Sequence, residues 1–169
     1  EVMPFLENVT RGRGIPRERL QIVAEHYHHL GGKSPINDQN RALISALRQD
    51  FEHHDVILPI YFGNRNWSPF LKDVVEEMKG AGVKRALAFI TSAYSSYSGC
   101  RQYLGDIEQA RTAVDGAPII EPLRRFFNHP GFVEACVERV RAAWDQVGVS
   151  MGTGLRSAAR IVFTAHSIP

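Results

Sequence analysis

The chain has 169 residues, 44% hydrophobic and 22% charged, with a formal net charge of +2. That length can bury a core and fits one domain. The basic excess is too small to argue for nucleic acid, and no apolar run approaches the ~18 residues of a membrane span. The opening residues do not read as a secretory leader, and two cysteines make neither a disulfide framework nor a CxxC metal site, so a cytoplasmic enzyme-like domain is the default expectation.

Residues 1–9 form a short amphipathic segment, followed by the basic loop Thr10-Arg11-Gly12-Arg13-Gly14. Pro16 suits a first helical position, and Leu20, Val23, Ala24, Tyr27 and Leu30 recur at helical spacing until Gly31-Gly32 stops the pattern. Ser34-Pro35 reads as cap plus first turn of a helix with Ile36, Leu43, Ile44 and Leu47 on one face. Val56 to Phe62 (VILPIYF) is a strand candidate with Pro59 inside it, hence an edge or a bulge.

Ser68-Pro69 repeats the cap signal before a helix carrying Phe70, Leu71, Val74, Val75 and Met78, closed by Gly80 and Gly82. Arg85 to Thr91 is a second strand, and its Ser- and Tyr-rich loop, Ser92 to Gly99, leads into a helix with Tyr103, Ile107, Ala110 and Val114 on one face. Ile119-Ile120 marks a third strand. Asn128-His129-Pro130 opens a helix with Val133, Cys136, Val137, Val140 and Trp144, and Ile161 to Thr164 is the final strand. Strands alternating with helices predict an α/β domain with a parallel sheet covered on both faces.

Arg11 and Arg13 on a Gly-rich loop suit carboxylates or phosphates, which guanidinium pairs bidentately; the bland alternative is a solvated turn. Gly31-Gly32-Lys33-Ser34 lacks the leading glycine of a P-loop, so Ser34 reads as a helix cap near which an anionic group could sit. The histidines His26, His28, His29, His53 and His54 have no carboxylate or cysteine set to complete a zinc site. The stretch Ser92 to Tyr103 (SAYSSYSGCRQY) follows a strand end and could wall a flat amphiphilic ligand with rings and hydroxyls; the alternative is a surface loop. Cys136 lies on an apolar helix face and reads first as a small core residue, whereas Cys100, near a helix start, reads as more accessible. His166 stands just past the last strand, where open α/β sheets hold ligands.

The segments FLENVTRGRG, HYHHLGGKSPIN, LPIYFGNRNWSPF, SAYSSYSGCRQY, FFNHPGFVEA and VFTAHSIP, taken together, resemble the ferrochelatases, which insert ferrous iron into a porphyrin in haem synthesis. The resemblance covers nearly the whole chain, and FTAHSIP and GG-x-SPIN are its most specific motifs. It implies an α/β fold with a Rossmann-like parallel β-sheet flanked by helices, the first lobe of a two-lobed class II chelatase. Residues 1–169 would be that N-terminal lobe, truncated at both ends and without its first strand, and the C-terminal lobe would lie outside the chain. These residues alone are expected to be inactive or nearly so, because the glutamate opposite the histidine belongs to the second lobe.

By the same resemblance His166 matches the histidine at the iron site, as proton acceptor or Fe²⁺ ligand. Ser34 and Tyr103 match porphyrin contacts, and Arg11 and Arg13 match a basic loop near the propionates. Coproporphyrin III is the preferred substrate, giving coprohaem III, with protoporphyrin IX next. A cobalt or nickel chelatase for a sirohydrochlorin-type ring is disfavoured by Ala93, where some of those proteins carry a second histidine. A non-catalytic tetrapyrrole carrier is the alternative from another class. Fe²⁺ is then substrate. Some relatives also hold a [2Fe-2S] cluster, for which Cys136 is the candidate ligand and Cys100 the second choice. The porphyrin is the one partner implied, and oligomeric state is not legible.

Overall fold

The computed structural model describes residues 2–95, 97–151, 160–162 and 164, and for 97–100 and 148–151 the backbone course alone. In chain order its elements are α1 (Val2–Val9), α2 (Arg17–His29), α3 (Ile36–His53), α4 (Leu71–Gly80), β1 (Arg85–Ala88), α5 (Tyr97–Thr112), β2 (Ile119–Pro122) and α6 (Pro130–Met151). They fall into two compact units, Glu1–Lys84 with Glu108–Pro118, and Arg85–Ile107 with Ile119–Pro169. No helix among the described residues is long and apolar enough to cross a membrane.

In the first unit, α1 and α2 form a small core because each places apolar residues four apart on one face. Val2 and Leu6 of α1 are buried with Leu20 and Ala24 of α2, and Met3, Phe5, Val23 and Tyr27 pack around them. The Phe5 and Tyr27 rings meet edge to face with centroids 6.1 Å apart. On α4 the apolar residues Val74, Val75 and Met78 are buried.

The second unit is built on a parallel pair. β1 and β2 run in register Arg85↔Ile119 to Ala88↔Pro122, and the Leu123 N–H extends the ladder to Ala88 O at 3.0 Å. Parallel neighbours need a long crossover, and α5 lies between them in sequence, so β1–α5–β2 is a βαβ unit. The expected parallel α/β arrangement is therefore present, with two strands among the described residues. Arg85 donates to Glu121 across the pair at 2.7 Å.

One expected strand is not formed, and another falls partly outside the described residues. VILPIYF runs without strand pairing among the described residues. Pro59 has no N–H to donate, and Ile57 and Leu58 are 96% and 61% exposed, so neither ladder nor burial holds the run as a strand. Likewise Arg160–Val162 and Thr164 carry no strand assignment, and Val162 is largely exposed. An apolar run becomes a strand only where a neighbour accepts its backbone groups. Helix faces differ in the same way. No residue of α3 is buried, and Val133, Val137 and Val140 of α6 stay exposed. Cys136 is exposed too, so the core reading of that cysteine is corrected. Periodicity marks an apolar face but does not supply the surface that covers it.

The ends of α2, α3 and α4 share one pattern. At the end of α2, Gly31 N–H bonds His28 O (3.1 Å) and Gly32 N–H bonds Tyr27 O (2.7 Å), with Gly31 at φ 92°, the paired bonds of a Schellman motif. The end of α4 repeats it through Gly82 N–H to Lys79 O and Val83 N–H to Met78 O. So does the end of α3, through Asp55 N–H to Glu52 O and Val56 N–H to Phe51 O. There the left-handed residue is Asp55, at φ 55°, where a Cβ is disfavoured. Asp55→Gly is therefore expected to stabilise the protein by about 1 kcal/mol, a rise in Tm of roughly 2–4 °C by calorimetry.

Candidate functional site

The basic loop is a hydrogen-bonded turn built on the end of α1. The Thr10 hydroxyl donates to Leu6 O at 2.7 Å, and Arg13 N–H donates to Thr10 O at 3.0 Å. Arg11 Nη2 donates to Asn8 Oδ1 at 2.7 Å, which orients the side chain and leaves further guanidinium N–H groups available. Gly12 and Gly14 adopt φ of 77° and 62°. A side chain there would meet nothing within 4 Å, so conformation rather than close packing calls for glycine. Arg11 and Arg13 are both exposed.

Ser34 sits at the other end of α2. That helix has 13 residues, so the arginine loop and Ser34 start from points about 20 Å apart at 1.5 Å per residue. The helix after Ser34 begins one residue later than expected, at Ile36 with Pro35 preceding it. Ser34 still serves that end, because its hydroxyl oxygen accepts the Ile36 N–H at 3.4 Å, with the O–H proton left to donate. An ion-pair network braces the same turn. Asp38 accepts from Lys33 Nζ at 2.9 Å and from Arg41 Nη1 at 3.0 Å. The hydrogen bond and charge of Lys33, with a smaller share from Arg41, hold the Asp38 carboxyl below its ordinary value.

A second loop docks beside Ser34, and sequence reasoning did not single out the residues that dock it. Asn64 Nδ2 donates to Asn37 Oδ1 (2.9 Å) and to Ser68 O (3.2 Å), while Asn37 Nδ2 donates to Ser68 O at 3.2 Å. The backbone of Asn64 pairs with Pro69 and Leu71, its N–H to Pro69 O at 2.7 Å and its carbonyl to Leu71 N–H at 3.0 Å. Asn8 Nδ2 reaches Asn66 O at 3.3 Å, and the Phe5 and Trp67 rings meet at 6.3 Å. The SPIN and GNRNWSP motifs are thus joined by side-chain amides. Asparagine content gave no signal for the pair, since HYHHLGGKSPIN carries one asparagine, as FLENVTRGRG and FFNHPGFVEA do. This loop also delays α4 to Leu71, so Ser68 is not its cap. Gly63 lies so close that a Cβ would sit 3.2 Å from Leu71 Cδ1 and 3.3 Å from its Cα.

Tyr103 belongs to the second unit, half-buried on α5, which starts at Tyr97 and shortens the expected Ser-Tyr loop. Tyr94, in what remains of that loop, is 65% exposed. His166 and Ser96 lie outside the described residues, as does the side chain of Cys100. Two surface hollows are lined by other residues. One of about 290 Å³ lies at Glu108, Arg111, Thr112 and the run from Val114 to Ala117, and one of about 510 Å³ at Val140, Arg141, Trp144, Asp145 and Ile161. Among the described residues no three His, Cys, Asp or Glu side chains gather as a metal site.

The profile of the ferrochelatases matches residues 1–169. The chain belongs to the ferrochelatase family. It is 55% identical to the coproporphyrin III ferrochelatase of Mycobacteroides abscessus and 53% identical to that of Streptomyces coelicolor, in each case over the whole of this chain and 48% or 45% of the relative. It is 54% identical to the ferrochelatase of Rhodopirellula baltica, covering 47% of that protein. The chain thus spans about half the length of the curated relatives it matches.

The Lys33–Asp38–Arg41 network has a pH signature. Because its folded-state value is lowered, Asp38 adds stability at neutral pH that is lost as pH falls through the ordinary carboxylate range and then through the lowered value. All three side chains are exposed, so the contribution is small. NMR titration of Asp38 should give a midpoint below that of an ordinary aspartate, moving up toward it in Lys33→Met.

Proposed function

We propose that this chain is the N-terminal lobe of an enzyme that inserts Fe²⁺ into coproporphyrin III, giving coprohaem III in haem biosynthesis. The observation that carries the reading is identity of 52–55% over the whole chain to relatives named coproporphyrin III ferrochelatase. A cytoplasmic setting is part of the same proposal.

Metallation removes two protons from pyrrole nitrogens as the iron enters. Imidazole, with an ordinary pKa of about 6.5, is largely neutral at pH 7 and can take such a proton and pass it to solvent, or ligate the incoming ion. We assign that role to His166. Arg11 and Arg13 are assigned to the propionates, since exposed guanidinium groups bind carboxylates by charge-assisted hydrogen bonds. Ser34, with a hydroxyl proton to donate, and Tyr103 are assigned to the ring's polar and flat surfaces. The roughly 20 Å between the arginine loop and Ser34 suits a wide ligand better than a small one. Coproporphyrin carries four propionates against two on protoporphyrin, so a basic loop favours the former.

A [2Fe-2S] cluster takes four protein ligands. The chain has two cysteines in all, and among the described residues none joins a group of three metal-binding side chains. Exposed Cys136 could offer one thiolate, but these residues do not by themselves fit the cluster.

The full-length protein mixed with Fe²⁺ and either porphyrin, followed at the Soret band, tests the function. Faster metallation of coproporphyrin III is expected, and preference for protoporphyrin IX, or binding without metallation, would refute the reading. His166→Ala should slow turnover by at least about 10²-fold, the usual contribution of a positioned acid–base group. Arg13→Ala should raise KM for coproporphyrin about tenfold, as loss of one charge-assisted bond predicts.

A further inference from the structure

The short loop after β1 is held from a segment that carries none of the assigned contacts. Ser92 is its pivot. Its N–H donates to Ile90 O at 2.7 Å, and its hydroxyl donates to Tyr94 O at 3.3 Å. Its own carbonyl accepts a hydrogen bond from Nη1 of half-buried Arg125 at 3.3 Å. Arg125 lies in the connection from β2 to α6, which is itself braced. Arg124 Nη1 donates to Asn128 Oδ1 at 2.9 Å, and His129 N–H donates to Phe126 O at 2.9 Å.

A chain of rings runs parallel to the polar contact. Phe89, just past β1, stacks on Phe126 with centroids 5.1 Å apart and planes 22° apart. Phe126 meets Phe132 edge to face at 5.2 Å, and Phe132 meets Tyr94 at 6.2 Å. The loop is thus gripped twice from the β2–α6 side, at the carbonyl of Ser92 and at the ring of Tyr94. Both grips lie beyond the carboxyl ends of parallel strands, the position where open α/β sheets hold ligands. An unheld loop of this kind would have to be ordered by its ligand, and that cost appears as weaker binding.

We propose that Arg125, assisted by Phe132, is a positioning residue that presets the Ser92–Tyr94 loop for the porphyrin. The proposal rests on the porphyrin reading given above. Arg125 touches the loop backbone and acts through it, and the effect belongs in substrate affinity rather than in the proton transfer assigned to His166. Because a single Nη1 bond is involved, a lysine ammonium can replace it in part, whereas alanine cannot.

The test uses the full-length protein with coproporphyrin III and Fe²⁺, together with hydrogen exchange of the free enzyme. In Arg125→Ala, KM for the porphyrin should rise about fivefold with kcat within about twofold of the parent, a split expected when binding alone is weakened. Amides 92–95 should exchange faster while those of β1 stay unchanged, and Arg125→Lys should recover most of both effects. An unchanged KM in Arg125→Ala overturns the proposal whatever the exchange shows, as does a lysine variant no better than alanine. If Arg125→Ala does not fold, Phe132→Leu takes its place: a raised KM with faster exchange at 92–95 supports the proposal, and an unchanged KM overturns it. A parent protein that metallates no porphyrin defeats the function proposed above. Unchanged exchange at 92–95 in Arg125→Ala would then still overturn the clamp on its own.

Discussion

A helix leaves its last carbonyls without partners, and satisfying them determines where each loop of the first unit begins. At the ends of α2, α3 and α4 the chain turns into the left-handed region so that two N–H groups reach back to those carbonyls. At α2 this places Lys33 and Ser34 directly beyond the turn, where Lys33 can meet Asp38 and Ser34 can meet the Ile36 N–H. The candidate contact at Ser34 is therefore a product of backbone saturation before it is anything chemical. The same holds at Arg11 and Arg13, whose turn is closed by bonds to carbonyls of α1 and of Thr10.

Elements governed by local chemistry were legible in the sequence. Gly31-Gly32 and Gly82 announced two helix ends, and the spacing of Leu20, Ala24, Val74, Val75 and Met78 announced buried faces. The end of α3 was not announced, because Asp55 occupies a position where glycine is the usual signal. What depends on distant partners was harder to read. VILPIYF has strand composition, yet a strand also needs a ladder, and Pro59 interrupts any ladder it could join. Cys136 sits at the helical spacing of a core residue but is exposed, because spacing names a face and says nothing of its cover.

The candidate site divides along the same line. Arg11, Arg13, Ser34 and Tyr103 could be singled out from residue type and motif, and the structure supplies the bonds that hold the first and third. The amides of Asn37 and Asn64 could not be, since each motif shows one half of a pairing that forms only when the loops meet. Arg125 was equally hidden, because its target is the main-chain carbonyl of Ser92, which leaves no mark in the sequence.

The amide pair of Asn37 and Asn64 also makes this fold sensitive to the exchange of a single side-chain nitrogen for oxygen. Asn64 uses its NH₂ group to meet two oxygens, Asn37 Oδ1 and Ser68 O. Asn64→Asp would leave shape and volume almost unchanged while turning that donor into a carboxylate. Lone pairs would then face lone pairs at the seam between two loops, with a new negative charge added beside them. That one exchange would loosen the docking of the loop next to Ser34 and leave it tied to α1 by the Asn8–Asn66 bond and the Phe5–Trp67 contact.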